Sequence, residues 1–418
     1  MGLIQYAVAW QKDSDNLGDD LRTLAAMELL PRVDRVLDAG RLDMPQEDLC
    51  EDDRVVALLC GSVLKESAHW LPDGRIAPVC VGMHASAEDV WGIPFTLLDG
   101  AGLTYLRGCA PVLCRDEHTC RMMEQVGLPC ELTGCVTLTL RRPEPDSPAA
   151  PPYVCCVDLP AEAAAAVREF AAGLEVREMS HRNPAPDEDF TRRMEAARAL
   201  VRVYAGARYV ITRRLHCAMA CLALGTPVLL LYNGGYEDIT RFAPMDGMVH
   251  TLPVKEFLRR VRSEGLAPWT NPPGVEAWQE RLRQAVKAGL ERAERMPLPM
   301  VPAAEAEGWR VRRLRQVAMS SAKKIHRLED EQLTALHEKF TLLMREDSAK
   351  AVLGGILEEP EVRRGMEKAA RRRMLSTLPW YKRPGLWLRL RTGRSRAEDL
   401  HAMAREQLRG LGWPDAGA

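Results

Sequence analysis

The strongest constraint on this chain is the alternation of short, continuously apolar runs with amphipathic stretches. Residues 3–10, 54–60, 76–81 and 111–115 read as strands, the second and third of them running into Gly61 and Gly82. Residues 17–30 read as a helix opened by Asp19 and Asp20, whose charges suit the positive end of a helix dipole. A second helix over 118–126 stops at Gly127, and a strand is expected near 131–138. Compact apolar strands separated by amphipathic helices predict a mostly parallel sheet with helices on both faces.

The rhythm then breaks and restarts. Residues 141–152 contain five prolines and no apolar pattern, which marks a linker. A second series follows: strands over 153–158, 174–179, 209–212 and 227–232, and helices over 161–172, 187–205 and 215–224, the last with Gly225 just past its end. Two such series predict an α/β protein of two Rossmann-like lobes, with ligands bound beyond the carboxyl ends of the strands. The expected division is an N-terminal lobe over 1–140, the linker 141–152, a C-terminal lobe over 153–300 and a helical, basic extension over 301–418.

Composition narrows the class. The 418 residues are 46% apolar and 28% charged, which excludes a disordered chain, a collagen-like fibre and a small disulfide scaffold. No apolar run is long enough to span a bilayer, and the first strand lacks the basic flank of a signal peptide, so a cytoplasmic protein is expected. The 12 cysteines are scattered, many within apolar runs, and read as buried reduced thiols; no Cys or His cluster has structural-zinc spacing, and no metal is expected. The net charge of −1 conceals an asymmetry, because residues 301–418 carry 24 basic and 16 acidic side chains.

Three strand ends could carry chemistry. In the segment RYVITRRLHCAMACLALGTPVLLLY, Arg213, Arg214 and His216 fall where a strand meets a helix. The free backbone N–H groups of that joint favour an anion, two guanidinium groups add fork-shaped donors, and an imidazole can move a proton near neutral pH. Surface arginines and a turn-capping histidine are the plainer alternative. The segment DNLGDD, with Asn16, Gly18 and Asp19, follows the first strand and reads either as a capped turn or as a loop facing a cleft. Arg115 and Asp116 end the strand PVLCRD, either as a local ion pair or as part of the same site.

Together these segments resemble the polysaccharide pyruvyl transferase family. The family's N-x-GD loop corresponds to Asn16, Gly18 and Asp19; its RD strand end to Arg115 and Asp116; its R-L-H signature, before a helix and G-x-P, to Arg214, Leu215 and His216. The resemblance implies a two-lobed fold similar to glycosyltransferases of the B type. It implies phosphoenolpyruvate as donor substrate, with no cofactor, and a glycan acceptor of the cell envelope, carried on a lipid or not. It also implies catalytic roles for His216, Arg214 and Arg115, with Asn16, Gly18, Asp19, Arg213, Leu215 and Asp116 contributing to substrate binding. The chain departs from the family pattern in LLCGSVLKES, in VGMHAS and in TGCVTL, where Cys135 stands in place of an expected Asp.

Residues 368–396 carry ten basic and no acidic side chains, interleaved with Trp380, Tyr381 and Trp387. That composition suits the anionic inner face of a membrane, or a basic face with its tryptophans packed inward. Nucleic acid is not expected, since no recognition motif accompanies the patch. Two other functions compete with pyruvyl transfer: a nucleotide-sugar glycosyltransferase on the same fold, and a non-catalytic glycan-binding or scaffold member of the family.

Overall fold

The computed structural model describes residues 2–325 apart from 47, 51, 62–69, 86–97, 145–150, 172, 184–188, 234–246 and 267–268. The basic segment 368–396 lies outside the described residues.

The first series builds strands β1 (Ile4–Trp10), β2 (Arg35–Asp38), β3 (Arg54–Cys60) and β4 (Ile76–Val81), which pair in the order β2-β1-β3-β4. All three pairings are parallel, with Val8 opposite Leu58 and Leu58 opposite Val79. Strands β5 (Val112–Cys114) and β6 (Cys130–Leu132) form a parallel pair, which a bridge from Met83 to Cys114 attaches to the edge beyond β4. Six of the seven residues of β3 and all six of β4 are buried, as strands covered on both faces require. Helices α1 (Leu17–Leu29), α2 (Gly100–Gly108) and α3 (Glu117–Gln125) belong to this lobe.

The strand expected near 131–138 is corrected. Only Cys130–Leu132 is strand; Gly134 turns the chain at φ +82°, a region open to glycine, and Val136–Thr139 closes a 3-10 turn whose four residues are buried.

The second series builds β7 (Tyr153–Val157), β8 (Glu175–Met179), β9 (Tyr209–Thr212), β10 (Val228–Tyr232) and β11 (His250–Pro253). They pair in the order β11-β10-β9-β7-β8, all parallel. Helices α4 (Ala161–Phe170), α5 (Phe190–Gly206), α6 (Leu215–Ala223) and α7 (Val254–Glu264) cover it. Helix α7 shows why: its buried residues Val254, Phe257, Leu258 and Val261 recur at i, i+3, i+4 and i+7, one stripe of a helix. They join Val154, Ile211, Leu229 and Leu231 in a single core. In both sheets the order reverses beside the first strand of the series, so the switch points lie between β1 and β3 and between β7 and β9.

Residues 1–87 and 95–306 form one compact unit holding both sheets. Helix α8 (Val275–Ala293) ties them together. Gln279 near its start donates to the carbonyls of Leu138 and Ala223, one from each series. Its far end reaches the first sheet, where Gly289 lies against Val79 and Arg54 donates to the carbonyls of Ala293 and Met296. Two parallel α/β lobes joined by a returning helix make the α/β class and the glycosyltransferase-B-like arrangement expected from the sequence. A second unit comprises 88–94 and 307–418; of its longer segment only 307–325, within helix α9 (Ala303–Ile325), is described. Among the described residues, no helix is long and apolar enough to cross a membrane.

Candidate active site

The two switch points face each other. The loop after β1 pairs with the loop after β8: Asn16 bridges Arg182, Leu17 N–H donates to the carbonyl of His181 (2.8 Å), and Asn183 N–H to that of Asp15 (2.6 Å). Asn16 caps α1 by accepting from the Gly18 N–H at 3.1 Å. The carboxyl ends of the two sheets therefore meet at the start of α1.

Across the same seam lies a buried ion pair that the sequence reading did not contain. Asp20 is fully buried and accepts from Nε and Nη2 of Arg193 at 3.0 and 2.8 Å and from the Trp10 indole at 3.2 Å. Arg193, on α5, also donates to the carbonyls of Lys12 and Ser14. Burial pushes the Asp20 carboxyl up, against the pull of Arg193 and Trp10. Asp20 thus does more than open a helix: it joins the first lobe to the second. The pattern of α5 held no signal for Arg193, because its partner is 173 residues away.

The β9–α6 joint is as the sequence placed it. Arg214 is the N-cap of α6, with its N–H on Thr212 Oγ1 at 2.9 Å. Its Nε donates to Asp158 Oδ2 at 2.6 Å. Asp158 ends β7 at φ +53° and also accepts from Ser180 Oγ and the His181 N–H. Burial raises that carboxyl, but these donors and Arg214 outweigh it and hold it below the usual range. Asp158 was legible as the polar residue closing a buried strand, yet no motif marked it. Leu215 is buried in the core at 2% exposure, so it holds the helix while its neighbours face the seam. The Nε of Arg213 is buried without a hydrogen-bond partner among the described residues.

At His216 the second lobe packs directly on the start of α1. A Cβ on Gly18 would stand 2.6 Å from His216 Nδ1, so the ring packs on a residue that must have no side chain. Its Nε2 is buried and has no hydrogen-bond partner among the described residues. Burial holds the imidazole well below its usual 6.5; Asp19 opposes this, while the charges of Arg22 and Arg115 reinforce it. Arg22, one turn along α1, pairs with Asp19 at 3.1 Å, donates to Gln11 at 3.0 Å and lies against Gly61 at the end of β3. Asp19 also accepts from Ser14 Oγ at 2.6 Å. Arg22 is a candidate-site residue that sequence reasoning missed.

The third motif completes the first-lobe side. Arg115 follows β5, is 6% exposed and stands 3.5 Å from Asp116. Asp116 caps α3, accepting from Thr119 N–H and Oγ1 at 2.8 Å each, and lies 2.6 Å from His84 Nδ1. Burial raises the Asp116 carboxyl, but His84, the Thr119 N–H and Arg115 overcome it and bring it to about 2. Arg115 and Asp116 thus form the local ion pair, and the Arg115 charge also acts on His216. Cys135, where the family pattern places Asp, is buried and accepts from Thr137 Oγ1 at 3.1 Å.

Ten of the 12 cysteines are buried. The fold nevertheless gathers three that the sequence separates: Sγ atoms of Cys114, Cys120 and Cys130 lie within 4.8 Å of one another.

No curated protein matches the chain. Among solved structures it is similar to a UDP-N-acetylglucosamine 2-epimerase, at 12% identity and a TM-score of 0.37 over 71% of this chain and 94% of that one. It is similar to the UDP-GlcNAc 2-epimerase of Methanocaldococcus jannaschii, at 10% identity and a TM-score of 0.36 over 68% and 99%. A glycotransferase of kitacinnamycin gives 11% identity and 0.29 over 71% and 99%. At these values the fold rests on the strand order above. Residues 103–235 match the model of the polysaccharide pyruvyl transferase family. Arg115, Asp116, Arg213, Arg214 and His216 all fall within that stretch, so the chain carries a match to a polysaccharide pyruvyl transferase domain over 103–235.

Proposed function

We propose that the seam between β5, α1 and α6 binds phosphoenolpyruvate and transfers its pyruvyl group to a glycan as a cyclic ketal. The observation that carries this reading is one buried imidazole, His216, within electrostatic reach of Arg22 and Arg115 and three residues past Arg213, whose Nε has no hydrogen-bond partner among the described residues. Phosphoenolpyruvate brings a phosphate and a carboxylate on one carbon. Arg213, Arg115 and the N-terminal N–H groups of α6 supply the donors for two anionic groups side by side. Asp158 holds Arg214 in orientation, and the Arg193–Asp20 pair fixes the opposite wall.

His216 is neutral in the free protein because burial and two positive charges disfavour its protonation. A bound dianion reverses that field and raises the imidazole toward protonation. The imidazolium then gives its proton to the methylene carbon. The oxygen of a first sugar hydroxyl bonds to the central carbon, and its proton returns to the imidazole. The carbon–oxygen bond to phosphate breaks next, with the arginines neutralising the leaving group. A second hydroxyl of the same sugar closes the ketal, and its proton leaves with phosphate. The scheme calls on no cofactor.

The direct test mixes the protein, phosphoenolpyruvate and candidate glycans. Phosphate should appear together with an acceptor heavier by one pyruvyl ketal, and His216→Gln should abolish both. Phosphate release at the wild-type rate in that variant, or stabilisation by a nucleotide diphosphate and never by phosphoenolpyruvate, rejects the reading. The basic, tryptophan-bearing segment 368–396 would bring the enzyme to acceptors on an anionic leaflet. Equal sedimentation with neutral and anionic vesicles would dismiss that role.

A further inference from the structure

We propose that Cys114, Cys120 and Cys130 form a three-thiolate site for a soft divalent cation of the zinc type, a structural site separate from the chemistry above. The thiols come from three elements. Cys130 pairs with Val112 across the β5–β6 ladder, and Cys114 lies two residues beyond Val112. Side chains two apart share a face of a strand, so Cys114 and Cys130 project from the same side of the pair. Helix α3 packs against both strands and supplies Cys120.

The three Sγ atoms lie within 4.8 Å of one another. Zinc–sulfur bonds of about 2.3 Å place tetrahedrally bound sulfurs roughly 3.8 Å apart, so closure needs side-chain adjustments of about an ångström. The present partners of the thiols are weak. Cys114 donates to the Val112 carbonyl at 3.6 Å and Cys130 to the Cys120 carbonyl at 3.5 Å. Soft thiolates select soft cations over magnesium or calcium. C-x5-C-x9-C spacing hides the site from a search for paired C-x2-C motifs, because here a strand, a helix and a second strand converge.

The location gives the site a role. Cys114 is the residue before Arg115, and Cys120 lies four residues after Asp116, the cap of α3. A cation held by all three would stitch β5, α3 and β6 together and fix the strand end that presents Arg115. This does not depend on which donor the seam binds.

The experiment uses the full chain, purified under reductant, stripped with chelator and titrated with cadmium. A thiolate-to-cadmium absorption band should saturate at one ion per chain and be displaced by zinc. It should vanish in Cys120→Ser and in Cys130→Ser and persist in Cys50→Ser and Cys109→Ser, which test the exposed thiol and a separate buried pair, Cys80 and Cys109, whose Sγ atoms lie 3.8 Å apart. Zinc should raise the melting temperature of the wild type and leave that of Cys120→Ser unchanged. Cadmium-113 resonance of the loaded wild type needs no variant and should report three sulfur ligands. No band, a band that survives both Ser changes, or fewer than three sulfurs would overturn the proposal.

Discussion

The two sides of the seam were built in different ways. On the second-lobe side, the candidate residues sit in one run of sequence: Arg213, Arg214 and His216 fall on a single strand-to-helix joint, with Asp158 added from another strand end. On the first-lobe side, local caps and ion pairs are joined by contacts between residues far apart in the chain. Asp20 needs Arg193, Gly18 needs His216, and Asp116 needs His84. A contiguous joint carries its own signal, because helix N-termini, arginines and a histidine at fixed spacing are a local arrangement. A wall assembled by tertiary packing carries none until the partners are known.

The largest expected effect comes from breaking the assembled side. Arg193→Ala leaves Asp20 as a fully buried, uncompensated carboxylate, which should cost about 3–5 kcal/mol in urea unfolding. Replacing both residues by apolar ones should recover much of that loss. If Arg193→Ala unfolds like the wild type, the seam is not locked by this pair.

A smaller effect should follow at the contact between the two sides. Gly18→Ala places a methyl group 2.6 Å from His216 Nδ1, and overpacking of this kind costs about 1–3 kcal/mol. Because the ring must shift, activity should fall further than stability does, whereas Gly127→Ala on the surface should leave activity intact. Equal activity in wild type and Gly18→Ala would show that His216 does not depend on α1.

The smallest effect concerns protonation. His216 has its pKa depressed in the folded state, so the unfolded chain binds the extra proton first. Stability from this residue is complete above pH 6.5 and declines as pH falls below it, by about 1 kcal/mol per unit. Urea unfolding at pH 7.5 and 5.5 should therefore show a larger loss in wild type than in His216→Gln. Identical losses would mean that the ring is not held neutral by its surroundings.

The fold was legible because strand burial repeats locally. The continuous apolar runs of β3, β4 and β10 marked covered parallel strands without any tertiary knowledge. The strand expected near 131–138 failed where a single backbone position, Gly134, redirected the chain into a buried 3-10 turn that has the same apolar composition as a strand. Within the candidate site, the strand-end positions of Arg115, Arg214 and His216 were readable from the sequence. Arg22 was not, since an arginine one turn into a helix normally points to solvent, and only the approach of Gly61 and Gln11 turns it inward. The three-cysteine cluster was invisible for a related reason: its spacing makes sense only once β5, α3 and β6 have folded together.

The central claim is that the two sides together grip phosphoenolpyruvate, and calorimetric titration of that compound into wild type and Arg213→Ala tests it most directly. Arg213 is the informative choice because, unlike Arg214, removing it does not strand Asp158. Loss of a charged hydrogen bond to the anion should cost about 2 kcal/mol or more, so Arg213→Ala should bind about 30-fold more weakly at unchanged melting temperature. Equal affinity in the two proteins, or no detectable binding by the folded wild type, would contradict the account.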